Sequence, residues 1–95
     1  MRLVYTSEAV DDLQRLREFV ENHNPAAAAK IAQTLITGIN KLKRFPHIAI
    51  EVKRAPDPDV MRDLILGDYI IRYLLHGDSI YILRLWHHRE ERNGE

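Results

Sequence analysis

His87 and His88 stand side by side at the end of a long apolar run, with Arg84 before them and Arg89 after. Arg62 and Arg72 lie upstream in two shorter runs. These residue types suit cleavage of an RNA phosphodiester by its own 2′-hydroxyl. That reaction requires a base for the hydroxyl, a cation for the charge developing on the phosphorane, and an acid for the leaving oxygen. Either histidine could act as base or acid, Arg62, Arg72, Arg84 or Arg89 could form the clamp, and Lys53 and Arg54 could hold phosphates. The same side chains have plainer uses. Arg72 can pair across strands with Asp63, Arg62 can stack on Tyr73, and histidine at a strand end is often simply solvated. Adjacent histidines in a strand point to opposite faces and cannot chelate one ion together, so neither a metal nor a cofactor is expected. Trp86 suits an anchor for a partner chain, or a base-stacking platform. Tyr69, Tyr73 and Tyr81 read as core aromatics whose hydroxyls reach the rim. His23, His47 and His76 fall at turns and are assigned no role.

Composition narrows the classes. There is no cysteine among the 95 residues, which excludes disulfides, thiolate metal sites and a cysteine nucleophile. The apolar fraction of 45% against 29% charged is that of a folded chain, and the length suits one domain over residues 1–95. A net charge of zero argues against binding nucleic acid through bulk charge. Acids gather early (Glu8, Asp11, Asp12, Glu18, Glu21), and Lys41, Lys43, Arg44, Lys53 and Arg54 make a basic middle. No phosphate-cradling glycine loop, serine elbow or paired-carboxylate site is present. MRLVYTSEAV is too short and polar for a secretory segment, and no apolar run approaches the roughly 20 residues of a membrane span, so a cytoplasmic protein is expected.

Spacing and turn residues give the secondary structure that carries these side chains. Arg2–Tyr5 is a short β-like run. Thr6-Ser7 offers an N-cap, and Ala9, Leu13, Leu16 and Val20 recur at helical spacing to about His23. Asn24-Pro25 closes that helix and opens a second, which the spacing of Ala28, Ile31, Leu35, Ile39 and Leu42 carries to about Arg44. Gly38 inside it suggests close approach of a neighbour. Phe45-Pro46 breaks the pattern, Ile48–Lys53 reads as a strand, and Ala55–Asp59 as a loop. Three strands follow, Met61–Leu66, Tyr69–Leu75 and Ser79–His87, joined by a two-residue turn at Gly67-Asp68 and a three-residue turn at His76-Gly77-Asp78. The tail after Arg89 is charged and expected to be loose.

With those turns, alternation puts Arg62, Leu64, Leu66, Tyr69, Ile71, Tyr73, Leu75, Tyr81, Leu83, Leu85 and His87 on the face that the helices cover. Asp63, Ile65, Ile70, Arg72, Leu74, Ile80, Ile82, Arg84, Trp86 and His88 are left on the other. That second face is too apolar to stay solvated as one patch, and Ile70, Leu74, Ile80, Ile82, Arg72, Arg84 and Trp86 are the expected contacts for a partner chain.

The ordered pieces Val4-Tyr5-Thr6-Ser7-Glu8-Ala9, Leu42-Lys43-Arg44-Phe45-Pro46, Arg62-Asp63-Leu64, Tyr69-Ile70-Ile71-Arg72-Tyr73 and Ile82–His87 with Arg89 resemble the ParE/RelE toxin superfamily of bacterial toxin–antitoxin modules. The ParE-like branch fits best, through Tyr69 and Tyr73 and the strand ending in His87 and Arg89; where that branch often has glycine after the histidine, this chain has His88. The resemblance implies an α+β fold of β-α-α-β-β-β order, with an αα-hairpin on one face of a mainly antiparallel sheet. It also implies a cognate antitoxin, and operator DNA bound only through that antitoxin. ParE-like toxins poison DNA gyrase and RelE-like toxins cut mRNA on the ribosome, so the implied target is gyrase, with ribosome-bound mRNA as the alternative. A non-toxic interaction module is a third reading.

Overall fold

The computed structural model describes residues 1–51 and 60–90. Its elements run β1 (Arg2–Tyr5), α1 (Ser7–His23), α2 (Pro25–Asn40), a 3₁₀ turn (Lys41–Lys43), β2 (Ile50–Glu51), β3 (Met61–Leu66), β4 (Tyr69–His76) and β5 (Ser79–His87). The sheet order is β1-β5-β4-β3-β2. β1 pairs in parallel with β5, and every other neighbouring pair is antiparallel. This is the expected α+β architecture. Lys53, Arg54, the Ala55–Asp59 loop and the tail beyond Glu90 lie outside the described residues.

Local chemistry sets the helix ends. Thr6 Oγ1 accepts the Ala9 N–H at 3.1 Å, and Asn24 Oδ1 accepts the Ala27 N–H at 3.2 Å, with Pro25 opening α2. α2 ends at Asn40, short of Arg44, because the chain tightens into the 3₁₀ turn. There the Lys41 carbonyl accepts from both Arg44 and Phe45 N–H. The helices share one face of the sheet, and their junction with it is a core of Ala9, Leu16, Leu35, Ile39, Leu42, Ile71, Tyr73, Ile80, Ile82 and Leu85. Each large aliphatic buried there contributes about 1.5–3 kcal/mol. Gly38 permits the close contact of α2 with β3: a Cβ at that position would lie 2.4 Å from Leu66 Cδ1.

The turn after β4 differs from expectation, and the difference moves side chains across the sheet. His76 pairs with Ser79, so the connection is the two residues Gly77-Asp78, with Gly77 at φ 60°. Glycine at the first central position with positive φ fits the type II′ turn that suits a right-twisted hairpin. Ile80 and Ile82 therefore face the helices and are fully buried, not exposed on the open face; Tyr81 takes the place expected of them there. Past Ile82 the register shifts: Tyr73 faces Ile82 but Arg72 faces Arg84, which leaves Leu83 as a bulge. The shorter turn and the extra residue cancel. Leu85 and His87 return to the helix side, and Arg84 and Trp86 to the other.

Candidate functional site

The open face of the sheet is built in rows. Across β1, β5, β4 and β3, Val4, Tyr81, Leu74 and Met61 align as cross-strand partners. Next come Arg84, Arg72 and Asp63, and then Trp86, Ile70 and Ile65. A charged stripe thus runs between two apolar ones. Arg72 holds Asp63 through two hydrogen bonds of 2.9 and 3.0 Å, and its guanidinium lies 5.2 Å from the Trp86 ring centroid. Trp86 is already buried, whereas Ile70 and Leu74 remain half-buried and Ile65 is exposed.

Beyond Tyr5, β1 stops and β5 becomes an edge whose polar groups require partners. Side chains supply them. Thr6 Oγ1 donates toward the Ile82 and Leu83 carbonyls, and the Arg15 guanidinium reaches the Leu85 carbonyl at 3.3 Å. Asp12 accepts the Leu85 N–H at 2.9 Å, and Glu90 Oε1 accepts the His87 N–H at 3.0 Å. Asp12, 4% exposed, also accepts from Arg84 Nε at 2.8 Å, Arg84 Nη2 at 3.1 Å and Arg15 Nη2 at 3.2 Å. Burial pushes its carboxyl up, but the donors from Arg84, Leu85 and Arg15 outweigh that and hold it below the usual carboxylate range. Glu90 is held low in the same way against its own burial, by Arg15 and the His87 N–H.

At the end of β5 the chain turns. The Arg89 N–H donates to His87 Nδ1 at 3.1 Å, the Glu90 N–H to the His87 carbonyl at 2.9 Å, and the His88 N–H to the Asp68 carbonyl at 2.8 Å. With Nδ1 accepting, neutral His87 carries its proton on Nε2. Because the strand ends at His87, His88 does not point to the opposite face as alternation predicted. The two rings are 4.7 Å apart, and both approach Asp68, His88 Nε2 at 3.6 Å and His87 Nε2 at 4.0 Å. Tyr69 meets His87 edge-on at 5.3 Å. A groove of about 530 Å³ opens here, floored by Leu16, Phe19 and Tyr69 and rimmed by Arg15, Arg89 and Glu90.

Of the arginines named as a clamp, Arg62, Arg72 and Arg84 are engaged elsewhere, and Arg89 lies beside His87. Arg84 is bound to Asp12 and Arg72 to Asp63, while buried Arg62 donates to the carbonyls of Ala49 (3.0 Å) and His47 (3.4 Å). Arg62 and Tyr73, whose hydroxyl donates to the Pro46 carbonyl at 2.6 Å, hold the segment between α2 and β2. Arg89 is exposed beside His87, and its guanidinium makes no hydrogen bond or ion pair among the described residues. No cluster of three or more metal-ligating side chains occurs among the described residues. Asp12, Glu90 and Asp68 were passed over in the sequence. Asp12 did carry a signal, since three residues after Ala9 and four before Leu16 it lies on the apolar stripe of α1.

The family described as the ParE toxin of the type II toxin-antitoxin system parDE matches residues 3–92 of this chain. Toxin RelE2 of Caulobacter vibrioides is 27% identical over 86 residues, 90% of this chain and 93% of that protein. Toxin RelE1 of the same organism is 29% identical over 85 residues, 85% of this chain and 86% of that protein. Among solved structures, a chain of the chromosomal ParDE TA system from P. aeruginosa superposes with a TM-score of 0.78 at 23% identity, covering 92% of this chain and 95% of that one. The protein HP0894 from Helicobacter pylori does so at 0.57 and 21%, covering 95% and 97%. These two likenesses bear on the fold alone. The family match spans the helical hairpin, the meander and the His87–Arg89 turn, and on it the chain belongs to the ParE toxin family of type II toxin–antitoxin systems.

Proposed function

We propose that this toxin is a single 1–95 domain that acts in the cytoplasm as a non-enzymatic inhibitor of DNA gyrase, and that a cognate antitoxin neutralises it by lying across the open face of the sheet. Operator DNA is reached only through that antitoxin. The observation that carries the reading is the fate of the arginines: Arg62, Arg72 and Arg84 are held by Ala49 and His47, Asp63 and Asp12, and Arg89, which does lie beside His87, is exposed with its guanidinium fixed by no hydrogen bond or ion pair among the described residues. A phosphorane clamp needs a cation beside the acid and base, and preorganised charge is usually the largest catalytic contribution. Neutral net charge supports the same conclusion, because a ribosome-bound substrate is a polyanion. The alternating apolar and charged rows, with Ile65, Ile70 and Leu74 accessible, suit a partner polypeptide.

The alternative, a ribosome-dependent endoribonuclease, draws support from the two relatives named RelE and from His87, His88, Tyr69 and Arg89 meeting around one turn. In that scheme Nε2 of His87, carrying the proton, would serve the leaving oxygen, and Arg89 would be the clamp. Supercoiling assays with purified toxin separate the two. Gyrase inhibition that survives His87→Ala and His88→Ala is expected. Untouched supercoiling together with mRNA cleavage that either substitution abolishes would assign the chain to the nuclease.

A further inference from the structure

Among the described residues, several large apolar side chains left in solvent gather at one corner. Ile48 is 59% exposed, Ile50 62% and Ile65 54%, around a depression of about 370 Å³. Phe45, 56% exposed, adjoins them across a turn in which the Ile48 N–H donates to its carbonyl at 3.2 Å. The 3₁₀ turn beside them carries Lys41, Lys43 and Arg44, all exposed, while Leu42 between them is buried in the core. Among the described residues no side chain pairs with any of these three cations. Asp63 lines the depression, but its carboxylate is occupied by Arg72. β2 is the outermost strand of the sheet on this side.

We propose that this corner docks an acidic amphipathic segment of the antitoxin, its apolar side chains on Ile48, Ile50 and Ile65 and its carboxylates on Lys41, Lys43 and Arg44. The inference rests on the reading that an antitoxin covers the open face, and it names the chemistry of the part that reaches the edge. Two observations select this occupant. Among the described residues the cations have no side-chain counter-charge, so an anionic partner gains the attraction without displacing a pair among them. Ile65 ends the row Trp86–Ile70–Ile65, so a chain crossing the open face runs onto the corner without leaving apolar surface. Nucleic acid fits less well: its phosphates would meet the cations, but apart from Phe45 the apolar groups are branched aliphatics that offer no stacking plane.

Calorimetric titration with the cognate antitoxin tests this. K41E/K43E/R44E is expected to weaken binding on the order of 100-fold and to flatten the salt dependence, and I48S/I50S to weaken it about 10-fold. Melting by circular dichroism should stay close to wild type for both, since the substituted side chains lie in solvent. Wild-type binding with a charge-reversed variant within about twofold at low salt overturns the inference and leaves the antitoxin reading standing. Absence of antitoxin binding to wild type overturns both. Capture by phosphatidylglycerol vesicles or RNA that K41E/K43E/R44E abolishes, with antitoxin affinity unchanged, assigns the corner to an anionic surface and overturns the proposal.

Discussion

Asp12 is the side chain on which the site's geometry turns. One carboxylate ties α1 to the β5 edge, completes a backbone N–H, and positions Arg84 and Arg15. Removing it leaves a buried N–H and an unbalanced Arg84, so Asp12→Ala should cost about 3 kcal/mol, read from denaturant melts. Asp12 and Glu90 also give the stability a pH dependence of definite sign. Both carboxyls are held below their ordinary values in the fold, so their contribution is complete above about pH 5.5, where both carboxyls are ionised in the unfolded chain as well. It drains away as pH falls through the folded values. The denaturant midpoint of wild type should drop between roughly pH 5 and pH 3, and Asp12→Asn should shrink that drop because it removes one of these two depressed carboxyls.

Among the elements, β5 is the strand whose faces were misassigned, and the reason is general. A strand's faces follow from a count of residues, and a count is corrupted by any unseen insertion or deletion. Here the turn is one residue shorter than expected and Leu83 is one residue more than the pairing uses, so Ile80, Tyr81 and Ile82 were misplaced while Leu85, Trp86 and His87 were not. Deleting Leu83 should therefore leave the register intact, costing about 1–2 kcal/mol through the lost carbonyl partner of Thr6. Deleting Leu74, where β4 pairs without interruption, would drive Leu75 out of the core and His76 into it, and that variant should not fold. Circular dichroism melts of the two deletions make the comparison.

For the whole molecule, one side of the sheet is covered by its own helices and the other carries apolar rows around a charged stripe. Among the described residues no helix is long and apolar enough to cross a membrane. On the proposed function, Ile70→Glu should lower antitoxin affinity by about 10- to 100-fold while shifting the melting temperature by only a few degrees, because Ile70 faces away from the helix-side core. An unchanged dissociation constant, measured by titration, would place the antitoxin elsewhere.

From sequence alone came the helix caps, the αα-hairpin, the strand order of the meander and the family resemblance, because all of these rest on local periodicity and on residues neighbouring in the chain. The pairs Asp63–Arg72 and Arg62–Tyr73 were legible too, since a two-residue turn fixes their register. Tertiary structure alone decided the parallel docking of β1 on β5, the bulge at Leu83, and the meeting of Asp12 with Arg84 and of His88 with His87 over Asp68. Those contacts join positions far apart in the chain, or depend on where a strand stops. No local pattern encodes either, because each is settled by which long-range partner leaves the fewest buried polar groups unsatisfied.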